Sequence, residues 1–515
     1  MSMGLPVHVR VNDAATGQPT PCRIRFTDPQ GRYYAPLGRL TKFALGDNED
    51  VGGNVKYRGK EYAYIDGQCE ILLPHGQLQV EIHKGPEYKP VCQELKHVTG
   101  KLALRFTMER WIDLRREGWY SGDIRAHALT PHGALLEGAA EDLAVVNLLA
   151  RESSVYGEYW KFNFHSEDEP FIYPVPPIHQ WPAIENILSF SGQQPALEAP
   201  GHVVVVNTYN EHPKLGRLGL LNCHRIVFPL RGGDSEAFAD WILEDWCDQC
   251  HRKGGLVTWQ GRVLPYSCEE ALAELIIGKI DALVACWGLG FWEEDWHRLW
   301  NGGVRFAVTG GSGKVCNRDI LGDPRTYALL QAGEEFNYKN WIEAVRAGRT
   351  FVTSGPILRL MVNGEPLGTV IRLPSATETL QVRVEACSAT PIDRVQLLVN
   401  GELVRSVPVP AQQTAVSFEG ELTLTEGGWL AARCLAYDAS ASVSQETVAH
   451  TSPVYVEIQG LPPWVGKDRA QRLLEHLDQA LQVSLADGTC GTERSRQRLK
   501  AVFEAAKNVL RKRLS

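Results

Sequence analysis

Asp123, Arg125 and His127 stand at alternate positions in the string Gly118-Trp-Tyr-Ser-Gly-Asp-Ile-Arg-Ala-His127. On an extended strand such residues share one face. An aspartate and a histidine so placed can act as an acid–base pair. They can also begin a metal site, which takes at least three protein ligands and an open water position for hydrolysis. A rebuilt mononuclear centre has Asp123, His127, His165, His202, His212 and His224 to recruit from. Arg125 opposes it, because a guanidinium stays protonated, cannot ligate and repels a divalent cation. Each residue also has a plainer role: Asp123 as a turn cap, His127 as a hydrogen-bonded core histidine, and Arg125 in an ion pair with Glu141 or Asp142.

Other suggestive strings carry less. Cys247-Asp-Gln-Cys250-His251 matches a c-type haem attachment string, but it falls in a predicted helix, and no second cysteine pair completes a four-ligand zinc site. Gly310-Gly-Ser-Gly-Lys314 lacks phosphate-loop spacing and is followed by Val315. No Gly-x-Ser-x-Gly nucleophile elbow occurs. The aromatic stretch Glu158 to His165 could line a carbohydrate-like pocket or simply pack as a loop. Trp287, Trp292, Trp296 and Trp300 recur near helical spacing and read as core or cleft wall.

The elements that must position these residues follow from periodicity. Residues 1–112 alternate apolar and polar positions, as in His8–Val11, Arg23–Phe26, Glu70–Leu73 and Gln79–Ile82, which predicts an antiparallel β-sandwich. Turns are expected at Ala14–Pro19 and Leu73–Gly76. From 113 to 355, strands at 202–207, 255–259, 282–286 and 304–308 alternate with helices at 235–252, 268–278, 292–301 and 338–347. Repeated β-then-α units imply a parallel sheet with covered faces, either a barrel or a doubly wound layer. Residues 356–460 return to period two, with Asn400-Gly401 as a hairpin signal, and read as a second β-sandwich. An amphipathic helical pair, 468–485 and 493–514, fills a tail over 461–515.

Composition sets the outer bounds. A chain of 515 residues, 44% apolar and 22% charged, is a multidomain globular protein. A net charge of −8 with interspersed signs leaves no electrostatic footprint for nucleic acid. No apolar run approaches a membrane span, and no signal peptide is visible at the start. The twelve cysteines have no framework spacing and read as reduced thiols. The expected compartment is the cytoplasm.

The string at 118–127 resembles the first strand of PHP-type metallohydrolases of the CehA/McbA (carbaryl-hydrolase-like) branch, where Gly-Trp-x-x-Gly-Asp-Leu-His-x-His precedes an acidic helix like Glu141-Asp142-Leu143. The likeness continues through Gly310–Gly313, Gly322-Asp-Pro-Arg-Thr-Tyr327, the string Trp341 to Pro356 and Val362-Asn-Gly364. The first domain is similar to carboxypeptidase-regulatory-like and transthyretin-like sandwiches. The resemblance implies a β-sandwich over 1–112, a PHP-like distorted β/α barrel over 113–355, an Ig-like sandwich over 356–460 and the tail. It also implies metal-dependent hydrolysis of ester, carbamate or phosphate-type bonds at the strand ends.

This sequence departs from the family pattern where the ligands belong. Arg125 replaces the first histidine, Ser312-Gly313 stands where the pattern has Gly-Ser-Asp, Trp259-Gln260 replaces a His-Pro, and Gln194 falls where a glutamate is expected; His127 and His202 remain. The expectation is therefore a homologue with its metal site largely lost. It would bind a small molecule or carbohydrate-like ligand in the old cleft through Gln194, His202, Trp259, Gln260 and Ser312. No cofactor is expected. The alternative is an active hydrolase with one divalent metal (Zn or Mn) on His127 and His202, or with Asp123, His127 and Arg125 as catalytic residues. A third reading is a scaffolding protein, forming homo-oligomers through the sandwiches or the C-terminal helices.

Overall fold

The computed structural model describes residues 5–46, 52–98, 100–151, 189–233, 238–261, 270–285, 293–436, 446–462, 467–485 and 491–514. The chain is a mixed α/β protein, mostly strands, arranged in several sheets with seven α-helices among the described residues. Among those residues no helix is long and apolar enough to cross a membrane.

The period-two runs near the N-terminus form two facing sheets. In one, Leu5–Asp13 lies between Gln68–Leu73 and Ala103–Met108; the other is built around Cys22–Thr27 and Gly76–His83. Val7, Val9, Val11, Ile24, Phe26, Val80 and Phe106 fill the space between them. The Leu73–Gly76 turn does not close a hairpin. It carries the chain from the first sheet, where Gln68–Leu73 pairs with Leu5–Asp13, to the second, where Gly76–His83 pairs with Cys22–Thr27. Both sheets thereby supply residues to one core.

Nine strands form the central run of the next sheet, with the short Leu197–Ala199 paired beside the third: β1 (Trp119–Ala126), β2 (Val145–Ala150), β3 (His202–His212), β4 (Gly216–Leu221), β5 (Leu256–Trp259), β6 (Ala282–Ala285), β7 (Ala307–Gly310), β8 (Arg325–Leu329) and β9 (Thr350–Thr353). Their spatial order is β7-β6-β5-β4-β3-β2-β1-β8-β9. Strands β1, β2, β3, β5, β6, β7 and β9 run in one direction, but β4 and β8 run in the other, so the sheet is mixed rather than wholly parallel. β7 starts later than periodicity suggests. The Val304 N–H is used instead to close the preceding helix on the Leu299 carbonyl, with Gly303 left-handed at φ 77°.

The sheet curls until β7 meets β8 and β9, and hydroxyl side chains make that seam. Thr326 Oγ1 donates to the Gly310 carbonyl at 3.0 Å and accepts from the Gly310 N–H at 2.8 Å. Thr350 Oγ1 donates to the Val308 carbonyl at 2.7 Å, and Ser452 Oγ accepts from the Val308 N–H at 3.0 Å. Ser452 belongs to the region beyond 355. There Phe351–Thr353 of β9 pairs with Ala449–Thr451, so the central sheet continues into the second β-layer. Asn400 and Gly401, both left-handed, form the expected hairpin turn between Arg394–Val399 and Glu402–Pro408.

Helices α1 (Pro131–Ala140), α2 (Leu243–Arg252), α3 (Glu270–Ile276), α4 (Glu293–Asn301), α5 (Tyr338–Arg346), α6 (Lys467–Ser484) and α7 (Glu493–Leu514) complete the fold. α2 begins later than residue 235 because Glu270 fixes its start, accepting from the Leu243 and Glu244 N–H groups. Glu274, one turn on, is buried, and neither carboxyl oxygen has a hydrogen-bond partner among the described residues. Burial pushes the Glu270 carboxyl up to about 8 and Glu274 well above its ordinary value. The apolar stripes of α6 and α7 (Leu473, Leu477, Leu499, Phe503, Leu510) bury in the same cluster as Trp296, Trp300 and Leu275. The tail thus covers its own chain.

Candidate functional site

Alternation decides what enters the curl of the sheet. Along β1 it turns Asp123, Arg125 and His127 one way, and along β3 it does the same for Asn207, Tyr209 and Glu211. Asp123 is fully buried. Its Oδ1 accepts from the Arg125 N–H at 2.9 Å and the Ser312 N–H at 3.1 Å, and its Oδ2 from the Gly322 N–H at 2.8 Å. Burial nevertheless pushes this carboxyl up to about 6, against those hydrogen bonds. The cap role expected of Asp123 is the one these bonds describe. Below it, Asn147 donates to the Asp123 carbonyl and joins Asn207 and Tyr338 in a buried network.

His127 is buried between two partners. Its Nδ1 is 3.0 Å from the Leu149 carbonyl and therefore carries the proton; Nε2 accepts from Arg125 Nε at 3.3 Å. Burial, with the Arg125 and Arg151 charges, holds its pKa well below the ordinary histidine value. The Tyr209 ring meets the imidazole edge-on at 5.1 Å. Arg125 lies over that ring at 5.4 Å, with Nη1 3.4 Å from the Gln260 carbonyl and Nη2 3.5 Å from the Tyr209 hydroxyl. The suggested Arg125 pairing with Glu141 or Asp142 does not occur: Arg23 takes Glu141, and Arg110 and Arg115 take Asp142.

More guanidiniums gather here. Arg151 just beyond β2, Arg217 on β4 and Arg125 are close enough to act on one another's charge. Burial, reinforced by Arg125 and Arg217, lowers the Arg151 pKa despite Tyr209 and Glu211 nearby. Arg217 pairs with Glu211 at 3.1 Å, and Arg231 stands 3.8 Å from the same carboxylate. Gln260 completes the set. Its Nε2 donates to Thr258 Oγ1 at 2.6 Å, and that hydroxyl spends its proton on the Gly219 carbonyl at 3.1 Å, which fixes the amide's orientation. Gln260 Oε1 is buried with no hydrogen-bond partner among the described residues. Gly219, the cross-strand partner of Tyr209, makes room: a Cβ there would meet Gln260 Nε2 at 2.4 Å.

The structure brings Asp123, Arg125, His127, Gln260 and Ser312 together at the C-terminal ends of the parallel strands, the end where open α/β sheets bind ligands. It puts three other expected residues elsewhere. His202 begins β3, with Nδ1 2.6 Å from the Leu143 carbonyl. Ala126 is level with Leu148 and Val206, so His202 lies roughly 13 Å down the strand from that level, with His127 beyond it. Two ligands of one zinc ion stand only about 4 Å apart or less, so these histidines cannot share a metal. Gln194 is exposed in a turn at the opposite end of the sheet. Trp259 is buried in the outer cluster with Trp246, Trp296 and Leu283 rather than beside Asp123 and His127.

Of the other histidines, His212 Nδ1 accepts from the Lys214 and Leu215 N–H groups, and His224 is exposed on the Lys253 carbonyl. His165, the 158–165 stretch, Trp287 and Trp292 lie outside the described residues. Cys250 Sγ is 3.4 Å from Cys223 Sγ in the core, and no group of three metal-binding side chains forms among the described residues.

Arg151, Tyr209, Arg217 and the Asn147–Asn207–Tyr338 network escaped sequence reasoning. The signal that could have found them is a polar residue inside an otherwise apolar buried strand, since burial of such a group requires a partner or a purpose. No protein-family model matches the chain, and no curated protein matches it.

Proposed function

We propose that this protein is a metal-independent ligand-binding homologue of the PHP-type metallohydrolases of the CehA/McbA branch. The curled sheet over 113–355 would be its distorted β/α barrel, and the strand ends its binding cleft. One observation carries the reading: Arg125 Nε donates to His127 Nε2. The one lone pair that His127 could offer a metal ion is directed at a permanent cation. Asp123 likewise directs both oxygens at backbone N–H groups. The residues present do not fit a zinc or manganese ion held by His127 and His202. They do fit a pocket that binds a small molecule or sugar through guanidinium and amide groups, with a curved sheet keeping them in place.

Metal analysis of the full-length protein, purified without chelators or a histidine tag, tests this. Well under one equivalent of any transition metal is expected. Stoichiometric zinc or manganese, with a hydrolytic activity lost on chelation, would overturn it. A second reading, hydrolysis by Asp123 and His127 as an acid–base pair, draws on the Asp123 carboxyl being pushed up to about 6. It requires the folded His127→Ala variant to lose an activity that the parent protein has.

A further inference from the structure

We propose that Cys223 and Cys250 form a redox couple, closing to a disulfide when the protein meets a peroxide and reopening with a thiol reductant.

The fold brings the two sulfurs together from separate elements. Cys223 follows β4 and Cys250 lies in the last turn of α2, yet their Sγ atoms are 3.4 Å apart. Hydrogen bonds clamp the two segments on both sides of the pair. The Asn222 side chain donates to the Gly254 carbonyl at 3.0 Å, the His224 N–H to the Lys253 carbonyl at 3.2 Å, and the Gly255 N–H to the Cys250 carbonyl at 2.8 Å. Gly255 supplies the space. Its φ is not left-handed, so conformation does not call for a glycine, but a Cβ there would lie 2.5 Å from each sulfur. A disulfide bond is about 2.0 Å long, so the clamped sulfurs need close by only roughly 1.4 Å.

Of the thiols gathered here, Cys223 is the one placed to start the reaction. The thiolate is the nucleophile, and burial pushes Cys250 and Cys247, one turn earlier on α2, well above the ordinary thiol value. Cys223 retains 3% exposure and adjoins the exposed His224, whereas Cys250 has none. The Cys223 sulfur attacks the peroxide, the O–O bond breaks, a sulfenic acid forms and water leaves. The Cys250 sulfur then displaces hydroxide from Cys223, its own proton completing a second water, and the S–S bond forms. Peroxide gains the two electrons that the dithiol loses. The product staples the end of β4 to the end of α2, and such a link stabilises by constraining the unfolded chain.

The test exposes the full-length protein to hydrogen peroxide, alkylates the remaining thiols and maps tryptic peptides by mass spectrometry, with exposed Cys92 as the gauge of oxidation. The peptide containing Cys223 should appear joined to the one containing Cys250, and separate again after dithiothreitol. Cys247 and Cys250 share the peptide between Arg231 and Arg252, so the map is repeated on Cys247→Ala, where the link should persist. In folded Cys250→Ala the Cys223 sulfenic acid has no resolving thiol and should be trapped by dimedone. The oxidised parent should melt several degrees above the reduced one. Circular dichroism checks that each variant is folded; if Cys250→Ala is not, the parent's peptide map decides alone. A Cys223 left free while Cys92 is fully oxidised, a link made to Cys247 instead, folded Cys250→Ala without a dimedone adduct, or a lower melting temperature on oxidation would each overturn the proposal.

Discussion

The two ends of the central sheet handle charge in opposite ways. Near the N-terminal ends of β2 and β3, where the first sandwich meets the sheet, carboxylates and cations are matched. Glu141 takes Arg23 at 2.7 Å and the Tyr64 hydroxyl at 3.1 Å, while Asp142 takes Arg110 at 2.9 Å and Arg115 at 3.3 Å. Arg110 also reaches Glu87 at 2.7 Å. Gly85 lets the chains approach, since a Cβ there would lie 2.4 Å from the Glu141 carbonyl oxygen. At the C-terminal ends, Asp123 is held by backbone N–H groups, Arg217 shares Glu211 with Arg231, and Arg125 touches His127, the Gln260 carbonyl and Tyr209 at 3.3–3.5 Å. Short reciprocal pairs fix one domain against another.

Breaking a matched pair should therefore have the largest effect. Arg23→Ala leaves Glu141 buried without its closest cation, and a loss of about 3–5 kcal/mol in urea denaturation is expected. A loss below about 1 kcal/mol would mean that Tyr64 alone suffices. A control stands on α3: Glu274, a buried carboxyl with no hydrogen-bond partner among the described residues. Its folded pKa is raised, and that of neighbouring Glu270 reaches about 8, so their stabilising contribution is complete below the unfolded value of about 4.3 and fades as pH rises through the folded values. Glu274→Gln should raise stability by on the order of 1–3 kcal/mol at pH 8 and flatten the fall in melting temperature between pH 5 and 8. An unchanged slope would place the titration elsewhere.

The smallest effect is expected at the C-terminal ends of the strands. Arg125→Ala should cost less stability than Arg23→Ala, because its contacts among the described residues are long and made to neutral groups. The His127 pKa should rise, since a repelling charge is gone, and NMR titration of the imidazole would read it. A loss as large as that for Arg23→Ala would erase the distinction between the two ends.

Much of this architecture could be read from local pattern. Asn400-Gly401, the run Arg394–Val399 and the helix from Glu493 to Leu514 coincide with observed elements, because each depends on turn chemistry or amphipathic period alone. Strands β4 and β8 were not anticipated. Their antiparallel course is decided by pairing with neighbours distant in sequence, which no periodicity encodes. At the C-terminal ends, Asp123, Arg125 and His127 were legible because a single strand presents them. Arg151 and Arg217 join only through the curl of the sheet. His202 and Gln194 were drawn to the site by likeness of sequence, whereas strand register sets them at its far end.

The hydroxyl seam has a consequence for heredity. Ser452 closes the sheet from beyond residue 355, and β9 shares its ladder with Ala449–Thr451. Residues 113–355 are therefore not a transferable cassette. A chain cut after 355 would bare the β9 edge and strand the Val308 N–H, and recombination could move this fold intact only by carrying 113–460 together with the helices packed on it as one block.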